Sequence, residues 1–192
     1  FVTVTMAALG IMALSWNASL LDRYEFRQIQ TALSTFWIVQ DGWQMDYFLP
    51  LFGPPWSVPM EFPTYQIIVA QLHQITGFPL EQSGRLVGIV FLIATLPALY
   101  ELLAISRLPR SRRLIVLTLV LTSPMYLFYA RAFMIETTAL CFSVWFLALY
   151  RRALLKPHLA VTAAAAILGV LAALTKITTF IVFGIPAVSL AI

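Results

Sequence analysis

The chain has 192 residues, of which 61% are hydrophobic and only 10% charged, with a mean hydropathy of +0.89 and a formal net charge of +4. That composition excludes an ordinary soluble domain and points to a polytopic membrane protein. The positive charge does not read as nucleic-acid binding, because the basic residues gather in two short connectors between oily segments, a pattern that reports membrane topology.

Phe1 to Trp16 is the first oily segment. It lacks the basic start of a signal peptide, and Leu14-Ser15-Trp16 is a poor cleavage site, so it reads as the remnant of a first membrane helix. The chain opens and stops inside hydrophobic runs, so it is expected to be the N-terminal part of something longer. Asn17-Ala18-Ser19 matches a glycosylation sequon, a motif too short to carry weight.

Residues 17–85 form a long connector that holds Asp22, Glu25, Asp41, Asp46, Glu61 and Glu81 against Arg23, Arg27 and Arg85. It also carries Trp37, Trp43, Phe48, Phe52, Trp56, Phe62 and Tyr65, aromatics that favour the headgroup zone of a bilayer. The pattern predicts a surface-lying amphipathic helix from Asp22 to Val39, a Pro- and Gly-broken stretch from Gln40 to Pro59, and a second helix from about Pro63 to Thr76 that stops at Gly77. At about 100° per residue, Phe26, Ile29, Leu33 and Phe36 form one stripe, with Asp22 along it and Glu25 at its edge, while Arg23, Arg27, Gln30 and Ser34 face the other way. Asp22 and Glu25 have the spacing of a capping box, and that role does not exclude catalysis. Glu61, set among aromatics and prolines, reads either as a loop carboxylate or N-cap, or as a substrate or metal contact. His73 and His158 are isolated and read as structural, with His73 retained as a metal-ligand candidate. Glu81 and Arg85 are spaced for a local bridge.

Leu86 to Ile105, Leu114 to Phe128, Ala132 to Tyr150, Leu159 to Thr175 and Ile177 to Ile192 are the further oily segments, several of them shorter than the roughly 20 residues that span a bilayer. The intervening connectors hold Arg107, Arg110, Arg112 and Arg113, and then Arg151, Arg152 and Lys156. Both are therefore expected on the cytoplasmic side and the acidic connector outside. Cys141, the single cysteine, permits no internal disulfide and reads as core. Glu136 lies within an apolar run, and ionisable groups at bilayer depth cost roughly 2.5 to 3.5 kcal/mol, which makes it a site candidate. Arg131 is five residues away, so on a continuous helix the two point about 140° apart and each needs another partner. Glu136 can bridge Lys176 structurally or contact substrate or metal. Lys176 can snorkel from a helix end or, with Thr175, Thr178 and Thr179, cradle a phosphate.

The acidic connector with Asp22-Arg23-Tyr24-Glu25-Phe26-Arg27-Gln28-Ile29-Gln30-Thr31-Ala32, followed by Met60-Glu61-Phe62-Pro63-Thr64-Tyr65 and Gly84-Arg85-Leu86, resembles the GT-C membrane glycosyltransferases. More narrowly it is similar to the branch of protein O-mannosyltransferases and lipid A aminoarabinose transferases, glycosyltransferase family 39-like. Ser123-Pro124-Met125-Tyr126, Ala130-Arg131-Ala132-Phe133-Met134-Ile135-Glu136 and Thr175-Lys176-Ile177-Thr178 also look like that branch. The resemblance implies an all-α, polytopic transmembrane bundle with amphipathic interfacial helices in its first outer loop, residues 86–192 supplying the further membrane helices. It implies a multi-pass protein of a bacterial cell membrane that moves a sugar from a polyprenyl-phosphate donor to a lipid, glycan or protein acceptor on the outer, periplasmic face. Asp22 would then activate the acceptor, although Arg23 follows it where many relatives have a second acid, which leaves Glu25 as an alternative base. Glu61 would help hold a divalent metal ion, Glu136 would contact substrate or metal, and Arg131 and Lys176 would offset the donor phosphate. The rival reading is a transporter or flippase-like protein whose path is lined by Glu136 and Lys176, although no internal repeat supports it. A third is a membrane scaffold whose buried charges lock helix packing.

Overall fold

The computed structural model describes residues 1–21, 24–44, 47–51, 53–57 and 61–191. Among these every regular element is helical. In chain order they are α1 (Val2–Ala13), α2 (Glu25–Asp41), α3 (Thr64–Thr76), α4 (Leu80–Leu103), α5 (Arg110–Thr122), α6 (Pro124–Arg131), α7 (Glu136–Leu155), α8 (Leu159–Thr175) and α9 (Ile177–Ala191), with a 3-10 turn at Ala104–Ser106 after α4.

Two of these helices, α4 and α7, are long and apolar enough to cross a membrane, and α5 with α6 makes a third if the pair is one span bent by 59°. The expected segment Leu114 to Phe128 is thus corrected to two helices. Pro124 opens α6 and supplies no N–H to continue the helix across Ser123. α1, α8 and α9 are apolar but shorter. They leave Val2, Met6, Leu159, Ile167, Val170, Val182 and Ile185 exposed, an apolar surface suited to hydrocarbon or to further helices.

The connector forms two helices as expected, with the second stopped at Gly77 in the left-handed conformation (φ 72°), which glycine adopts without strain. The spanning helix begins six residues earlier than expected, at Leu80 instead of Leu86, so the connector ends at Pro79. The apolar stripe of α2 is divided: Phe26 and Phe36 are exposed, Ile29 is half-buried and Leu33 packs on the core of Ile38, Tyr47, Leu49 and Ala70, whereas Gln28, Gln30, Ser34 and Thr35 are buried. Burying amides and hydroxyls is tolerable because they find protein partners, and the exposed Phe26 and Phe36 suit an apolar surrounding. Glu25 opens α2 directly, after Tyr24 at φ 60°, so it does not stand three residues inside the helix as a capping box requires.

Cross-links between distant residues fix which ends coincide. Glu101 Oε1 lies 3.6 Å from Arg152 Nε, and the Arg113 guanidinium sits 4.5 Å from the centre of the Tyr100 ring. These contacts gather the C-terminal ends of α4 and α7 and the start of α5, and with them both basic connectors. At the opposite end Phe62 N–H donates to the Leu174 carbonyl (3.2 Å), and Phe133 N–H donates to Gln28 Oε1 (3.0 Å). The acidic connector therefore packs on the end of the bundle where α6 meets α7 and α8 meets α9.

Between these ends, α4 packs closely on α6 through small residues. A Cβ at Gly88 would lie 2.6 Å from the Ala130 carbonyl oxygen, and one at Gly84 would overlap the Phe133 ring. Tyr65 and Phe133, both fully buried, meet edge to face at 5.6 Å and tie α3 to the α6–α7 junction.

Candidate functional site

The expected run Ala132 to Tyr150 is corrected by a break: residues 132–135 are not helical, and Glu136 is the first residue of α7. It therefore stands in the first turn, at the positive dipole end of a helix, a favourable place for an anion, and is not stranded in mid-span. The partner it finds is Lys176, whose Nζ donates to Glu136 Oε1 at 2.7 Å across 40 residues of sequence. Lys176 stands in the break between α8 and α9, with extended backbone (φ −163°) that lets its side chain leave the helix line. Both side chains are about one-fifth exposed, and Glu136 Oε2 is buried with no partner among the described residues.

Thr137 and Thr138 carry buried hydroxyls that also lack partners there. Glu136, Thr137 and Thr179 line an opening of about 260 Å³ with Tyr126 and Tyr129. Of the threonines around Lys176, Thr179 lines this opening and the other two turn elsewhere. Thr175 is buried and donates to the Leu171 carbonyl of its own helix (2.7 Å), and Thr178 is exposed.

Arg131 ends α6. Its Nη1 donates to Ser15 Oγ at 2.8 Å, and its guanidinium lies 5.5 Å from the Phe128 ring centre. It lines a second opening of about 460 Å³ with Tyr24, Phe128 and Tyr129. The two openings share Met125 and Tyr129, so Arg131 and the Glu136–Lys176 pair flank one stretch of α6.

Asp22 and Arg23 lie outside the described residues, as do Asp46 and Met60. The residues just after Asp22 are placed: the Tyr24 ring packs on Phe128 at 5.7 Å and Tyr129 at 6.5 Å, at the Arg131 opening. Glu25 is exposed on the first turn of α2. Glu61 pairs with Arg27 (3.6 Å), and its backbone carbonyl accepts from the Tyr47 hydroxyl at 3.2 Å. His73 lies in the last turn of α3 with Nδ1 2.6 Å from the Phe78 carbonyl oxygen. Glu61 precedes the start of α3 and His73 lies in its last turn, with about 13 Å of helix axis from Thr64 to His73, and the two do not converge on one ion. Among the described residues no three His, Cys, Asp or Glu side chains group as a metal site.

Three residues central to this end were not singled out from the sequence. Gln28 sits on the polar face of α2 and accepts from Phe133 N–H. Ser15, at the end of the first apolar segment, accepts from Arg131. Tyr65, buried in the connector helix α3, donates to the Gly84 carbonyl at 2.9 Å. Burial pushes the Tyr65 hydroxyl well above its ordinary pKa, the nearby Glu136 charge adds to the rise, and Arg85 opposes it, so the phenol remains a neutral donor. The expected Glu81–Arg85 bridge is replaced. Arg85, 3% exposed, donates to the carbonyls of Ser15 (2.7 Å), Trp16 (2.9 Å) and Ala18 (2.6 Å), while Glu81 stays exposed. A fork of fixed donors suits this cluster of terminal carbonyls better than a single carboxylate partner would.

Comparison with family models, curated proteins and solved structures gave no match to this chain.

Proposed function

We propose that the protein is a glycosyltransferase of GT-C type that moves a sugar from a polyprenyl-phosphate donor to an acceptor at the connector end of the bundle. The observation that supports this reading is a convergence. The segment flanking Asp22, the carboxylate of Glu136 and the cations Arg131 and Lys176 gather around adjoining openings at one end, opposite the basic connectors. Displacing a phosphate from an anomeric carbon needs a base for the acceptor proton and fixed cations for the departing phosphate. Asp22, with Glu25 as the alternative, is the proposed base, and Arg131 and Lys176 are the proposed phosphate partners. A single displacement inverts the anomeric configuration, by analogy with two-carboxylate inverting glycosidases. Glu61 is the proposed ligand if a divalent metal takes part, and the Arg27 pair would have to open for it to serve.

The scaffold reading draws on the same bridge, since Glu136 and Lys176 already neutralise one another. Incubating the full-length protein with radiolabelled polyprenyl-phosphate sugars separates the readings. A transferase yields glycosylated product and free lipid phosphate, a transporter moves label without converting it, and a scaffold does neither. Asp22→Asn is expected to abolish transfer while the protein still inserts and folds. Turnover retained in that variant moves the base to Glu25 or elsewhere.

A further inference from the structure

Both basic connectors meet at one end of α4, where two adjacent residues hold one cation from each. Tyr100 carries the Arg113 guanidinium over its ring at 4.5 Å, and Glu101 Oε1 lies 3.6 Å from Arg152 Nε. Side chains one residue apart on a helix diverge by about 100°, so the two cations flank α4 on different sides. The placement does not rest on these polar contacts alone. Leu96, Leu99 and Leu103 of α4 cluster with Leu117 and Leu121 of α5, and Ala98 and Leu102 cluster with Val144 and Ala148 of α7.

The charge gathered there is of one sign. Residues 107–113 carry four arginines and residues 151–156 two arginines and a lysine, while the chain from 102 to 192 holds a single acid, Glu136, at the far end of α7. Arg110, Arg112, Arg152 and Lys156 are exposed. The positive-inside rule asks only for an excess of cations on one side, which either connector supplies by itself. It does not ask that the two converge on one patch. Apolar side chains are exposed among the same cations: Ile105 and Ile115 bracket the first connector, and Leu154, Leu155 and Leu159 lie in and beside the second.

We propose that this end of the bundle is a docking surface for the phosphodiester headgroups of anionic phospholipids, independent of the transferase reading. Water solvates each exposed cation singly but leaves their mutual repulsion in place, and an anionic leaflet relieves it. Each lysine or arginine near such a surface strengthens attachment by about fivefold. The planar guanidinium fork also matches phosphate oxygens two at a time. Cations interleaved with exposed leucine and isoleucine fit a bilayer interface, where phosphates lie directly above acyl chains. A soluble polyanion such as a nucleic acid supplies the phosphates but leaves those side chains in water.

The test reconstitutes the purified full-length protein in phosphatidylcholine vesicles and measures, by electron spin resonance, how strongly spin-labelled phosphatidylglycerol and phosphatidylcholine associate with it. The anionic probe is expected to associate at least about threefold more strongly, with the preference falling as salt is added. Replacing Arg110, Arg112 and Lys156 together by Gln should cut that preference by at least about half. These side chains are exposed, so the fold is not at stake, and the remaining four cations still set the topology. Lys at positions 110 and 112 retains the charge and should retain the preference. Equal association of the two probes with the parent protein, or a preference unchanged in the Gln variant, overturns the proposal. A Gln variant that keeps the lipid preference but loses binding of a short single-stranded oligonucleotide assigns the patch to a soluble polyanion instead.

Discussion

Among the described residues, replacing Lys176 by Met removes the one hydrogen-bond partner of Glu136 Oε1 while Oε2 is already without one, so the variant leaves a carboxylate with both oxygens unanswered. Breaking one side of a fully buried pair costs about 3–5 kcal/mol. With side chains 22% and 20% exposed, water recovers part of that, and about 2–3 kcal/mol is expected here. Glu136→Gln is milder, at about 1 kcal/mol, because the amide oxygen still accepts from the ammonium. The double variant, with neither charge, should cost at most about 1 kcal/mol, which gives a coupling of at least about 2 kcal/mol. Reversible unfolding in mixed detergent and SDS micelles measures all four proteins. A coupling below about 0.5 kcal/mol would refute the bridge and return Lys176 to snorkelling. The same set addresses function: if Lys176 holds the donor phosphate, the double variant regains stability but not donor affinity. Recovery of both would leave the pair with a packing role alone.

Arg85→Ala orphans the carbonyls of Ser15, Trp16 and Ala18 and should destabilise by at least about 3 kcal/mol, with earlier proteolysis in residues 15–21; Lys at this position recovers only part, since a point charge cannot fork. Gly88→Ala sets a methyl 2.6 Å from a backbone oxygen of α6 and should cost about 2 kcal/mol in the same unfolding assay, despite the gain of about 1 kcal/mol in helix propensity. A neutral result there means that α4 and α6 do not approach so closely. In a Cys141→Ser background, Glu25→Cys and Lys156→Cys should react with membrane-impermeant maleimide from opposite sides of the bilayer. Labelling from one side contradicts the arrangement of the ends, and with it the proposed site.

Near-neighbour chemistry in the chain was enough to determine the helical class, the connector helix that stops at Gly77 and the segregation of acids from basic turns. Each follows from local backbone preference, periodicity or the charge of a short stretch, all of which act over a few residues. The tertiary structure alone decided that Arg85 leaves Glu81 for the carbonyls of the turn after α1, that α2 buries Gln28 and turns Phe26 outward, and that Glu136 begins a helix and meets Lys176. Arg131 reaching Ser15 across 116 residues is of the same kind. A charge or amide has a fixed appetite for a partner, but its range is a few ångströms. Which partner satisfies it is set by how whole helices pack, and no window of sequence contains that.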